Sequence, residues 1–282
     1  MTNTDTTTVR RVHLLGRFVK FEHSIFSIPM FFAGAVIEGF GWPSLWNLWW
    51  MMVAGVGART LAMALNRLID RNIDAQNPRT SNRELPAGLL SVSSAWWVIA
   101  GGTTMYLGAA IILGGWCLKL AWVPPALFIV YPYMKRWTAF CHLGVGLSLG
   151  LSPLGGSLAA HPHMMPGLEP YMLATFTTLW VTGFDIIYAT LDEAFDRETG
   201  LNSAVVNFGK KWSLFVAALS HVIAALILVI LLFMRSAGPW QWSAALVVTG
   251  LLLIEHLKRE QVDFAFFQVN SIVGFFVLAA CL

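Results

Sequence analysis

The chain has 282 residues, 57% of them hydrophobic and only 12% charged, with a mean hydropathy of +0.65 and a formal net charge of +3. A soluble domain of this length carries about 25% charged residues, so a water-solvated exterior is excluded and a lipid-facing one is expected. A nucleic-acid partner is not expected. Thirteen Trp residues fit the headgroup region, which indole rings favour. Cys117, Cys141 and Cys281 stand apart, without CxxC or CxH spacing, so neither a disulfide framework nor zinc is expected and each reads as a small apolar filler.

The chain opens on MTNTDTTTVRRVHLLGR, polar and then basic, without the short apolar core of a signal peptide; residues 1–12 read as a disordered tail. Apolar runs follow near 24–41, 44–65, 93–115, 118–134, 139–160, 170–188, 212–234, 240–257 and 264–282. Most have the 17–25 residues, approximately, that a helix needs to cross the hydrocarbon core. A β-barrel would instead alternate in segments of about ten residues. The fold class predicted is therefore all-α: one polytopic membrane domain over 1–282, with nine transmembrane helices. With the N-terminus placed inside, all of the 18 Lys and Arg residues except Lys119 and Arg235 fall in inner segments. That bias predicts a cytoplasmic N-terminus in the cell inner membrane.

Two inner connections, 66–92 and 189–211, are long, polar and acid-rich. They follow the second and sixth spans, which suggests a duplicated four-helix unit plus one extra helix. In the first, Asn66, Asp70 and Asp74 stand four apart and share one helical stripe. Two carboxylates and an amide oxygen make a hard oxygen site suited to magnesium, whose shell phosphate and water complete. In the second, Asp185, Tyr188, Asp192 and Asp196 are spaced to share a helical face, and Asp192 and Asp196 superpose on Asp70 and Asp74. Two such stripes on one side of the membrane could clamp a diphosphate between magnesium ions. Asp185 lies inside the apolar run TLWVTGFDIIYA, where an unpaired carboxylate costs about 2.5–3.5 kcal/mol.

Arg79 and Arg83 follow the first stripe, and Arg suits a diphosphate because its planar fork donates two bonds to one anion. Tyr131 and Lys135, four apart in YPYMKR, could meet the same anion. Each of these basic residues could instead serve only to orient the chain. His161 and His163 lie in an outer loop, Glu22 and His23 read as interfacial, and Gly144, Gly146, Gly150, Gly155 and Gly156 read as helix-packing residues of the fifth span.

NRLIDRNIDAQNPRTSNRELPAG and DIIYATLDEAFDRETGLNS resemble the two aspartate-rich motifs of the UbiA-type intramembrane prenyltransferases. YPYMKR resembles the basic segment between them, and RFVKFEHSIFSIP the family's first helix. The resemblance implies nine helices around a central cavity, capped on the cytoplasmic side and open laterally to lipid. It implies that Asn66, Asp70, Asp74, Asp192 and Asp196 hold Mg2+ and the diphosphate, with Asp185 matching the first position of the longer second motif. Arg79, Arg83 and Lys135 would contact diphosphate oxygens, with Tyr131 and Tyr188 nearby. The implied substrates are a polyprenyl diphosphate and an aromatic acid of quinone biosynthesis, either 4-hydroxybenzoate or a dihydroxynaphthoate of the menaquinone route. An ion-coupled transporter using the intramembrane acids is the competing class.

Overall fold

A computed structural model describes residues 14–20, 24–258 and 268–282. The predicted tail at 1–12, Glu22, His23 and the start of the last predicted span lie outside these residues. The described residues hold no strand; after a helical stretch at 14–18 come α1 (Ser24–Val36), α2 (Leu45–Ile69), α3 (Arg71–Gln76), α4 (Val92–Leu113), α5 (Gly115–Leu120), α6 (Val123–Met134), α7 (Cys141–Ala160), α8 (Leu168–Ala189), α9 (Glu193–Thr199), α10 (Ala204–Phe208), α11 (Lys210–Met234), α12 (Pro239–Leu257) and α13 (Asn270–Cys281).

Local chemistry sets the boundaries. The Ser44 and Ser91 hydroxyls accept the Asn47 and Ser94 N–H groups, each at 3.1 Å, and so start α2 and α4. Pro239 starts α12, where its missing N–H is no loss. Gly114 and Gly115 both hold positive φ, +70° and +51°, which ends α4 and sets off the short α5.

Seven stretches are long and apolar enough to cross a membrane: α2, α4, Gly115–Met134 (α5 with α6), α7, α8, α11 and α12. Ser27–Val36 and Asn270–Cys281 are shorter apolar helices. The first predicted span, 24–41, therefore overran: its helix ends at Val36, and Gly39 and Gly41 turn the chain with φ of +76° and +82°.

The outer surface carries large apolar side chains, among them Trp49, Trp97, Phe233 and Leu246. Since lipid is as apolar as they are, association between helices rests on close packing and interhelical hydrogen bonds. Glycines supply the close approaches, as predicted for the fifth span. A Cβ on Gly146 would sit 2.5 Å from the Thr178 carbonyl oxygen, and one on Gly150 2.1 Å from the Thr178 hydroxyl, so α7 lies directly on α8. Hydrogen bonds join the C-terminal helices. Trp180 Nε1 donates to Asn270 Oδ1 at 2.6 Å, Asn270 Nδ2 donates to Glu255 Oε1 at 3.0 Å, and His221 Nε2 lies 3.0 Å from the Trp180 carbonyl.

Candidate active site

Both acid-rich connections lie at one end of the bundle. α2 ends at Ile69, yet the i→i−4 bonding runs on through the break: Asp70 N–H donates to the Asn66 carbonyl at 3.0 Å, and Asp74 N–H to that of Asp70 at 2.8 Å. The predicted stripe of Asn66, Asp70 and Asp74 is thus kept.

The second stretch departs from prediction. α8 stops at Ala189, and the N–H groups of Thr190, Leu191 and Asp192 bond three residues back, at 3.2, 3.1 and 3.1 Å, before Asp192 caps α9. A tighter last turn is how a helix satisfies its terminal carbonyls. At 3.0 rather than 3.6 residues per turn it adds about 20° per residue. Asp185 and Tyr188 therefore stand on α8 and Asp196 on α9, with Asp192 at the junction, so the one continuous helix predicted to carry all four is corrected.

Side chains weld the two segments together. Asn77 Nδ2 and Arg79 Nε both donate to Asp192 Oδ1 at 2.8 Å; Arg79 Nη2 closes a second bond to Oδ2, and Nη1 donates to the Tyr188 hydroxyl at 2.7 Å. Arg83 Nη1 reaches both oxygens of Asp74, at 2.7 and 2.8 Å. Lys135 Nζ donates to Asp70 Oδ2 at 2.7 Å, beside Asn66 Nδ2 at 3.3 Å. Arg79, Arg83 and Lys135, predicted as diphosphate contacts, each hold a carboxylate of the site. Asn77 and Arg136, whose Nη2 lies 3.5 Å from Asp70 Oδ1, belong to the cluster although sequence reasoning left them out.

The electrostatics are uneven. Burial pushes the Asp70 carboxyl above its ordinary range despite the neighbouring Lys135. Burial also acts on Asp192, but the hydrogen bonds from Arg79 and Asn77 outweigh it and hold that carboxyl below the usual range. Burial, and next the charge of Asp192, push Asp196 up to about 6.

Among the described residues no three His, Cys, Asp or Glu side chains lie close enough to hold a metal alone. Magnesium does not require such a group, since it commonly takes one or two carboxylates and fills its shell with substrate phosphate and water.

The cluster opens into a cavity of about 590 Å³. It runs from Asn66, Arg83, Tyr131, Asp185 and Tyr188 at the acidic end to Met51, Cys117 and Tyr171 at the other. Along α2, from Asn66 to Met51, it is roughly 22 Å deep at the rise of an α-helix.

Two lining arginines had been read only as topology signals. Arg67 is 4% exposed with Nε and Nη1 unbonded, and Arg59 Nε is buried and unbonded. They are eight residues apart on α2, so Arg59 lies roughly 12 Å deeper.

A polar cluster at one end of an apolar cavity, inside a bundle of membrane-length helices, has the shape and chemistry to receive an amphiphile with an anionic head. The profile of the UbiA prenyltransferase family matches residues 27–276, and the chain belongs to that family. It is a prenyltransferase. A 4-hydroxybenzoate octaprenyltransferase of Nitrosomonas europaea is 29% identical over 262 residues, covering 86% of this chain and 87% of that one. The structure of a UbiA homologue from Aeropyrum pernix superposes with a TM-score of 0.84 at 29% identity, covering 92% of this chain and 96% of its own. A UbiA homologue from Archaeoglobus fulgidus, bound to GPP and Mg2+, shares the fold at 18% identity, with a TM-score of 0.71 over 95% and 98% of the two chains.

Proposed function

We propose that this chain transfers a polyprenyl group from its diphosphate to 4-hydroxybenzoate, with Mg2+, at the cytoplasmic face of a bacterial inner membrane. The observation that carries the reading is the joining of Asp192 to Asn77 and Arg79, which brings the two acidic segments together beside Tyr188 and Arg83, both of which line the polar end of a deep apolar cavity. The names of the curated relatives favour 4-hydroxybenzoate over the dihydroxynaphthoate, and the positive-inside bias favours nine crossings with the N-terminus inside. A transporter site would sit near the midplane on broken helices, whereas these acids stand at one end of the bundle, clasped by basic side chains.

The residues divide the work by depth. Asn66, Asp70, Asp74, Asp192 and Asp196 would hold Mg2+, which when bound supplies charge neutralisation on the leaving diphosphate. Arg67, buried with free nitrogens, receives diphosphate oxygens, as do Arg79, Arg83 and Lys135 in exchange for their present carboxylate partners. The aromatic faces of Tyr131 and Phe184 line the path of the allylic carbon, exclude water and favour positive charge there. Arg59 is too deep to share the diphosphate with Arg67, and as a cavity-lining guanidinium with a free Nε it would pair with a second anion, the acceptor's carboxylate.

Membranes containing the chain should convert geranyl diphosphate and 4-hydroxybenzoate to the prenylated acid. Chelation with EDTA should stop the reaction and added Mg2+ restore it. No product from these substrates, at any Mg2+ concentration, would remove the reading.

Arg59→Leu should raise KM for 4-hydroxybenzoate by about 10–100-fold, the worth of a hydrogen bond to a charged group, while KM for geranyl diphosphate stays put. Initial rates with each substrate varied in turn decide this. A rise in the diphosphate KM alone would move Arg59 to the leaving group.

A further inference from the structure

Aromatic substitution releases a proton from the ring carbon that is attacked, and something must take it inside a water-poor cavity. Among the described residues Asp70, Asp74 and Asp192 each hold Lys or Arg, so their charges are already engaged, and Asp196 does not line the cavity. Asp185 differs. It lines the cavity, its side chain is 23% exposed, and no Lys or Arg nitrogen of the described residues lies within 4.0 Å of it. Among the described residues it is bonded by His142, in the first turn of α7, whose Nδ1 lies 2.7 Å from Asp185 Oδ2.

The other face of that imidazole fixes its protonation. Ala204, at the start of α10, donates its backbone N–H to His142 Nε2 at 3.2 Å. An N–H needs a lone pair to point at, so Nε2 carries no proton, and the single ring hydrogen sits on Nδ1 and is donated to Asp185. The ring is neutral and both nitrogens are occupied. It can relay nothing, and it leaves the Asp185 charge uncompensated. What it can do is pin one carboxylate oxygen and leave the other facing the cavity.

The same bond ties Asp185 to the segment before α10, where Asn202 N–H donates to the Lys135 carbonyl at 2.7 Å. The carboxylate is thereby held in register with the chain that carries Lys135.

We propose that Asp185 accepts the ring proton of the prenyl transfer and that His142 is its positioning residue. The prenyl C1 bonds to the ring carbon beside the hydroxyl as the C1–O bond breaks, its electron pair leaving with the diphosphate. The hydrogen on that ring carbon then passes as a proton to the free oxygen of Asp185, and its bonding pair restores the aromatic ring. The assignment rests on the prenyltransfer reading above.

The test uses full-length protein in membranes, with geranyl diphosphate, Mg2+ and 4-hydroxybenzoate, unlabelled or deuterated at both ring positions beside the hydroxyl. His142→Leu should lower kcat by ~10²-fold, within the range of a positioned general base, with KM for geranyl diphosphate unchanged. It should also show a larger deuterium isotope effect than the wild type, because proton loss becomes the slow step.

His142→Asn, which keeps a donor near the place of Nδ1, should recover most of the rate and guards against a variant that fails to fold. In an Asp185→Asn background, His142→Leu should cost nothing further, since residues acting as a unit are not additive. Losses that multiply, an unchanged isotope effect, or an Asn variant as poor as Leu would overturn the proposal while the wild type still transfers. A wild type that makes no product would overturn the prenyltransfer reading as well.

Discussion

Asp192→Asn and Asp70→Asn should each lower prenyl transfer by at least ~10³-fold while the protein still accumulates in membranes. Metal-ion catalysis is worth several kcal/mol of transition-state stabilisation, and each 1.36 kcal/mol is tenfold in rate. Asn is the informative replacement because it keeps shape and one acceptor oxygen. At Asp192 that oxygen can still take bonds from Asn77 and Arg79, so the two acidic segments stay joined. What is lost is the charge that the diphosphate-bound cation needs.

Removing Asp70 frees Lys135, which then stands ready for the diphosphate. The Asp70 variant should therefore retain substrate binding better than turnover. Initial rates over a range of Mg2+ concentrations, normalised to membrane-bound protein, check both. Full activity in the two variants would remove the metal role from these residues.

The parts of this site that were legible in the sequence are those encoded by local spacing. Asn66, Asp70 and Asp74 stand four apart, and an i→i−4 backbone keeps them on one stripe even where the helix is interrupted. The lipid-facing exterior was legible from composition alone.

What escaped notice depends on tertiary juxtaposition. His142 and Asp185 are 43 residues apart, and nothing in CHLGVG marks His142 as anything but a polar residue near a span's end. Arg59 and Arg67 looked like topology signals, because a positive-inside count cannot tell a buried guanidinium from one at the lipid surface. The carboxylate partners of Arg79, Arg83 and Lys135 escaped too, since Arg79–Asp192 and Lys135–Asp70 join residues 113 and 65 apart in the chain. Helix ends were misjudged where hydropathy runs on past the point at which the backbone turns, as at Gly39 and Gly114.

The glycines of α7 give a test of the scaffold itself, with Gly156→Ala expected to destabilise the protein by at least ~3 kcal/mol, the upper end of ordinary overpacking. A Cβ on Gly156 would lie 1.8 Å from the Phe31 carbonyl oxygen, and one on Gly34 1.9 Å from that of Pro153. Both obstacles are backbone atoms, so no rotamer change relieves them, and α1 must lift off α7 as a body. α1 carries Phe31 and Phe32 into the cavity wall, so its displacement also widens the space that should exclude water.

Gly101→Ala is the matched control. It lies within α4 with nothing within 4 Å of the added carbon. There the same change should be neutral or stabilise by up to ~1 kcal/mol, the ordinary helix preference for Ala over Gly. Thermal unfolding of the two variants in detergent, followed by loss of the monodisperse chromatographic peak, separates them. Equal stability would mean that α1 does not rest on α7, and the cavity wall built from Phe31 and Phe32 would fall with that contact.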